Sequence, residues 1–288
     1  MKKRKNSLFP FLSFLLSCVF LFSAGMIVQE LVIREKEKTA FASLSALVAD
    51  TKDLRFKETS DLPTASFNDP ASPGAETEHN SLGSETMPKA VQKNVLPQYA
   101  QLYEMNPDFF GWITIDETNI NYPVMYTPDR PEYYLHRAFD GSSSNSGVPF
   151  VEENCPPDGN YYLIYGHHMK NKTMFGQLPL YASQEYCEEH PIIHFDTLYE
   201  QRDYQIIAAF YSQLYSKEDT SSFHYYEYTN LQDAASFDEY IRQVQAVSLY
   251  NNIFEVSFGN ELLALSTCDY HVKDGRFVVV AKRIDNSN

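Results

Sequence analysis

Basic residues are scarce in this chain. Lys and Arg number 23 against 38 Asp and Glu, a formal net charge of −15. The main basic cluster is the short run Lys2-Lys3-Arg4-Lys5. Holding a phosphate backbone takes clustered Lys and Arg, so a nucleic-acid partner is not expected. Cysteine is also sparse, at four residues. Cys18 lies in an apolar run and reads as filler. Cys155 and Cys187 make no disulfide framework, and the sequence leaves open whether they pair. Tryptophan occurs once, whereas there are 21 Tyr and 20 Phe. Tyr and Phe fill half-buried pleated surfaces well, which suits a β-rich domain.

The basic run has a second reading. It precedes residues 8–28, an almost uninterrupted apolar stretch relieved only by Ser, Cys, Pro and Gly. About 21 residues at about 1.5 Å each give about 31 Å, the thickness of a bilayer core. Cations ahead of such a stretch place the N-terminus in the cytoplasm and the remainder outside. Phe22-Ser23-Ala24 resembles a cleavage site, yet the stretch is long for a signal core and runs on into a helical segment. A single-pass, uncleaved signal anchor is therefore expected.

Four segments follow. Residues 1–7 are a basic cytoplasmic tail and 8–28 the transmembrane anchor. Residues 29–94 are a stalk and linker: 30–55 have helical character, and from 57 to 93 the composition turns to Pro, Ser, Thr, Glu, Asn and Gly, too polar to offset the entropy of ordering. Residues 95–288 form the folded domain.

That domain opens with a helix over 96–106, whose Pro97 is tolerated in a first turn. Strand character follows at 111–115, 120–126, 148–151, 161–165, 192–196, 204–213, 261–267 and 277–284, with 254–258 a further short strand or the start of the seventh. Two helical patterns interrupt them, at 175–189 and 234–249. In the second, Phe237, Tyr240, Ile241, Val244 and Val247 recur at three- and four-residue spacing. Short strands with few crossover helices predict a mostly β fold: a closed barrel of about eight strands with peripheral helices, preceded by the transmembrane helix.

The chemistry concentrates at three strand ends. Leu263-Ala264-Leu265-Ser266-Thr267-Cys268 is an apolar strand delivering a cysteine at its C-terminal end. The next strand begins at Arg276, and a hairpin sets Cys268 and Arg276 side by side. A guanidinium there favours a thiolate and can donate to an oxyanion on an attacked carbonyl. Tyr162-Leu163-Ile164-Tyr165-Gly166-His167-His168 supplies a strand, a permissive glycine and two histidines. An imidazole can take the thiol proton and return it to a leaving amine. Adjacent histidines point apart on an extended chain, so no metal centre is expected of them. Taken singly, each residue has a plain structural role open to it: small hydrophobe, surface turn, solvated strand-end charge.

Taken jointly, LSTC followed by RFVVVAKR, with YGHH upstream, resembles the sortase family, most closely class B. The resemblance extends over roughly residues 96–284. It includes Asn106-Pro107-Asp108-Phe109-Phe110-Gly111-Trp112-Ile113, Ile120-Asn121-Tyr122-Pro123-Val124, Tyr134-Leu135, and Thr173-Met174-Phe175-Gly176. The helix at 234–249 resembles the insertion that separates class B from class A. The resemblance implies a cysteine transpeptidase that cleaves the C-terminal sorting signal of exported proteins after Thr. It forms a thioacyl intermediate and transfers the protein to a peptidoglycan-precursor amine, without a cofactor. Cys268, His167 (the first His after Gly) and Arg276 are implied as catalytic, with Thr267 and Ser266 against the substrate. The signal would be of NPxTx or (S/N)PxTG type, and the enzyme would lie in the cell membrane with its catalytic domain outside. Met125-Tyr126 and Gly147-Val148-Pro149-Phe150 depart from the family pattern; neither is expected to touch the catalytic residues, and both bear on the specificity of the groove.

Other readings fit less well. A pilin-polymerising sortase would use a pilin lysine as acceptor, but no lid motif of that class stands in the linker. An L,D-transpeptidase resembles a Ser-x-Gly-Cys-x-Arg block, whereas here Arg follows Cys by eight residues. A papain-like hydrolase wants its Cys early, at a helix start. An inactive binding barrel or adhesin does not require Cys, His and Arg at three strand ends.

Overall fold

The computed structural model describes residues 8–60, 94–250 and 255–284. The basic tail, and the linker from residue 61 onward, lie outside the described residues. The anchor and the helical stalk are one element, the 53-residue helix α1 (Leu8–Ser60). At about 1.5 Å per residue it runs about 80 Å. Its N-terminal part is long and apolar enough to cross a membrane. Phe14 and Phe20 there are about 70% exposed, with no protein to cover them.

Further along, α1 touches the folded domain. Phe41 meets the Tyr122 ring edge-on at 5.2 Å, and Leu44 and Val48 are buried in a cluster with Tyr99, Leu102 and Trp112. Tyr99 and Leu102 come from α2 (Pro97–Met105), with proline in its first turn as expected.

Eight strands close into a barrel: β1 (Phe109–Thr114), β2 (Asn121–Met125), β3 (Phe150–Val151), β4 (Tyr161–Tyr165), β5 (Ile192–Thr197), β6 (Asp203–Gln213), β7 (Leu262–Cys268) and β8 (Gly275–Ile284). Their order round the barrel is β1-β2-β3-β4-β7-β8-β6-β5. The β2–β3 and β4–β7 pairs are parallel and the others antiparallel. Ile113, Val124, Leu163, Phe195, Ile206, Leu265 and Val279 belong to the core. β7 is buried from Leu262 to Thr267. Its continuous apolar run is what a strand with no solvent face requires.

Three expectations shift. The strand foreseen at 148–151 shrinks to two residues. Pro149 has no N–H to give a ladder, and Gly147 turns the chain at φ +60. The helix foreseen at 175–189 divides into a 3₁₀ piece (Leu178–Ala182) and α3 (Gln184–Glu189). Ser183 breaks it: extended, at ψ 127, its hydroxyl accepts from the Tyr186 N–H and starts a new helix. Residues 255–258 are not strand, and 254 lies outside the described residues. The class B-like helix is α4 (Ala234–Val247), capped by Asp233 accepting from the Ser236 N–H at 2.9 Å. All four cysteines are free, so Cys155 and Cys187 do not pair.

Candidate active site

The site is assembled by register. β7 and β8 pair antiparallel with Cys268 opposite Arg276. Directly opposed residues share a face, so thiol and guanidinium emerge together at the barrel rim. The turn between the strands is tight. Asp269 N–H donates to the Gly275 carbonyl at 2.9 Å, and a Cβ on Gly275 would stand 2.4 Å from the Asp269 carbonyl oxygen. Only glycine fits there.

Arg276 donates through Nη1 to the carbonyls of Asp274 and Gly275, at 3.3 and 3.0 Å. No carboxylate pairs with it among the described residues. A guanidinium carries five N–H donors, so others remain to meet a carbonyl or an oxyanion.

On the other flank of β7, β4 runs parallel, with Tyr165 opposite Ser266. The pairing continues past the strand: Gly166 N–H donates to the Ser266 carbonyl at 3.1 Å, and Thr267 Oγ1 donates to the Gly166 carbonyl at 2.8 Å. Continued two positions past Tyr165 and Ser266, this register brings the backbone of His167 towards that of Cys268. Gly166 makes this possible. A Cβ there would lie 2.6 Å from the Phe175 ring. Phe175 in turn donates its N–H to the His167 carbonyl at 3.0 Å, which gives Met174-Phe175-Gly176 its structural meaning.

The two histidines part company, as their adjacency requires. His167 Nε2 lies 2.8 Å from the Leu135 carbonyl oxygen. Because a carbonyl only accepts, the proton sits on Nε2 and Nδ1 is left as acceptor. Burial pulls the His167 pKa below the usual histidine value, against the Leu135 bond, which raises it; His136, its ring centroid 5.4 Å away, lowers it further. His167 is therefore neutral near pH 7. His168 instead donates from Nδ1 to the Cys268 carbonyl at 2.8 Å and rests its ring 5.5 Å from Tyr270.

Ser266 and Thr267, expected against the substrate, are 0% and 2% exposed. The Thr267 hydroxyl is used by Gly166. The Ser266 hydroxyl shares a 2.7 Å hydrogen bond with the Tyr225 phenol. Ser266 and Cys268 are two apart on one strand and share a face, so the Tyr225–Ser266 pair lies beneath the thiol. Burial pushes the Tyr225 phenol up to about 12, keeping it protonated.

Sequence reasoning missed two participants. The Leu135 carbonyl holds His167, but a backbone oxygen has no residue signature; the only hint was the Tyr134-Leu135 pair. Tyr225 sits in a short 3₁₀ turn (Tyr225–Glu227), one of 21 tyrosines with nothing to set it apart. Asn106 and Asp108 now acquire roles. Asn106 Nδ2 donates to the Tyr134 hydroxyl at 2.8 Å and to the Phe139 carbonyl at 2.5 Å, and Asp108 accepts from that hydroxyl at 2.9 Å and from Arg130 at 2.6 Å. They brace the 3₁₀ turn (Tyr133–His136) that carries Leu135.

The 147–150 segment reaches the site only indirectly, through the Leu135 carbonyl that holds His167. A Cβ on Gly147 would sit 2.4 Å from the Leu135 carbonyl oxygen. The segment presses on the group that holds His167.

Comparison with known proteins bears on this arrangement. Residues 113–284 match the Sortase domain family. The chain is 30% identical to a Sortase B of Listeria monocytogenes over 199 residues, 67% of this chain and 77% of that protein. It is likewise 30% identical to a Sortase B of Staphylococcus aureus over 197 residues, with the same coverage. Among solved structures, the Staphylococcus aureus sortase B–substrate complex superposes with a TM-score of 0.66 at 24% identity, covering 89% of this chain and all of that one. The chain belongs to the sortase family, to its class B, and is a sortase cysteine transpeptidase.

Proposed function

We propose that this chain is a single-pass membrane enzyme with its barrel outside the cell, which cleaves the C-terminal sorting signal of exported proteins after Thr and joins the new carboxyl end to a cell-wall amine. Cys268 is the nucleophile, His167 the proton carrier and Arg276 the oxyanion donor. The observation that carries this reading is the register: Cys268 faces Arg276 across β7–β8, while the parallel neighbour β4 ends at Tyr165 opposite Ser266 and leads directly into Gly166-His167. The apolar end of α1 and the cations before it support the placement in the membrane.

The sulfur of Cys268 attacks the Thr carbonyl as its proton passes to Nδ1 of neutral His167. A C–S bond forms, and the oxyanion takes N–H donors from Arg276. When the C–N bond breaks, the imidazolium returns the proton to the leaving amine. An acceptor amine then attacks the thioacyl carbon, yields its proton to His167, and displaces the thiolate, which takes that proton back. Ser266 and Thr267 act from below, setting the height of Cys268 through their bonds to Tyr225 and Gly166.

The Staphylococcus aureus relative has been solved with a substrate, which supports a sorting-signal peptide as the ligand here. NPxTx and (S/N)PxTG peptides are the substrates to try, and a peptidoglycan cross-bridge amine against a pilin-type lysine the acceptors. The test is intact-mass analysis of the full chain with such a peptide and no acceptor. The wild type should gain the mass of the N-terminal peptide fragment, and hydroxylamine should release it. Cys268→Ala should gain nothing while keeping its melting temperature. A Cys268→Ala chain that still cleaves the peptide within tenfold of wild type would refute the assignment.

A further inference from the structure

Helix α1 meets the barrel along one stripe. Glu37, Phe41, Leu44, Ser45 and Val48 recur at three- and four-residue spacing, which places them on one face. The middle of the stripe is apolar contact, already sufficient for docking. Glu37 adds something different. Its carboxylate accepts from Ser144 Oγ at 2.6 Å, from the Asn145 N–H at 3.1 Å and from Ser146 Oγ at 2.6 Å. Ser144 and Ser146 are buried, at 4% and 6% exposure. Ser144 Oγ also accepts from the N–H groups of Ser146 and Gly147, at 3.2 and 3.1 Å. A carboxylate from the membrane-bound helix thus organises a whole turn of the barrel, through charge-assisted bonds about twice as strong as neutral ones.

That turn leads straight to the site. Ser144 N–H donates to the His136 carbonyl at 3.1 Å, and Val148 N–H donates to the Tyr134 carbonyl at 3.0 Å. Gly147, at φ +60, fits so closely under Leu135 that no side chain could stand there. The clasped segment therefore grips residues 134–136 at both ends. Between them is the Leu135 carbonyl, 2.8 Å from His167 Nε2.

We propose that Glu37 is a positioning residue for His167: its carboxylate fixes the 144–147 turn, and that turn fixes the Leu135 carbonyl that holds the imidazole. The helix that anchors the enzyme is then part of the active-site scaffold, and catalytic geometry depends on α1 being seated. The proposal rests on His167 being the proton carrier.

The test uses the full chain in lipid nanodiscs, with Glu37→Ala and Ser146→Ala, and with Glu35→Ala on the exposed side of α1 as the charge control. Two quantities are read: kcat and KM on a sorting-signal peptide, and the titration midpoint of His167 by NMR of labelled imidazole. Glu37→Ala should lower kcat about tenfold to a hundredfold at nearly constant KM, the scale at which displaced supports cost a catalytic group. Its His167 midpoint should fall, because the Leu135 bond raises it in the wild type. Ser146→Ala, which removes one bond of three, should move both readings the same way by less, and it carries the test if Glu37→Ala does not fold. Glu35→Ala should match wild type. A Glu37→Ala chain with an unmoved His167 midpoint overturns the proposal, whatever its kcat. If the midpoint moves but the wild-type chain turns over no sorting peptide, the clasp stands and the transpeptidase reading of the site fails.

Discussion

Replacing each histidine of the Gly166-His167-His168 corner in turn separates proton transfer from positioning. His167→Ala removes the group whose Nδ1 is free to accept. General acid–base help is worth about 10²–10⁴-fold, or about 3–5 kcal/mol of barrier. His168→Ala removes one neutral hydrogen bond, Nδ1–H to the Cys268 carbonyl at 2.8 Å. Such a bond is worth about 0.5–1.5 kcal/mol net, so even if all of it were felt in the transition state the loss would be about tenfold or less. The expected gap between the two variants is therefore at least about tenfold in kcat/KM. A fluorogenic sorting-signal peptide gives the rate, and a melting curve on each variant shows that both remain folded. His168→Gln, which keeps a donor, should recover part of the small loss, whereas His167→Gln should recover nothing, since an amide cannot carry the proton. If His168→Ala falls as far as His167→Ala, the choice of histidine is wrong.

Three further outcomes follow from the same geometry. Arg276→Lys should be nearly as damaging as Arg276→Ala, at about 2.7–4 kcal/mol, because an ammonium on a flexible stem cannot reproduce a planar donor fork; near-wild-type kcat/KM for the lysine variant would reduce Arg276 to an electrostatic neighbour. Tyr225→Phe should destabilise the barrel by about 1–3 kcal/mol in urea unfolding by stranding the Ser266 hydroxyl at a fully buried site, and adding Ser266→Ala should restore part of that, whereas a loss below about 0.5 kcal/mol would mean the bond carries nothing. The acid limb of kcat/KM should fall below about pH 6.5, because burial lowers the His167 pKa. The sign for stability is the same: the unfolded chain takes the proton more readily, so this contribution is complete above about pH 6.5 and lost as pH falls, and it should vanish in His167→Ala.

Much of this protein was written in local sequence. An apolar run of membrane length after four cations, strands marked by β-branched and aromatic residues, and a cysteine strand answered by an arginine strand are all short-range patterns. They yielded the long apolar helix, the eight strands and the Cys268–Arg276 pair, because a hairpin register is set by nearby residues. Where local signals competed, the sequence was less decisive. Pro149 and Gly147 shortened a strand, and the hydroxyl of Ser183 divided a helix that apolar spacing alone made continuous.

Only the tertiary structure joined groups far apart in the chain. The parallel β4–β7 pair, about a hundred residues apart, sets Gly166-His167 beside Cys268. Backbone carbonyls decide which way each histidine faces, and a carbonyl belongs to every residue type alike. Ser266 and Thr267 carry the same hydroxyls in any strand, and only the fold shows them buried and bonded to Tyr225 and Gly166. Glu37 reads on its own as one charge on a charged stalk. Its meaning comes from two buried serines and a backbone N–H more than a hundred residues away, brought within reach when α1 lies down on the barrel.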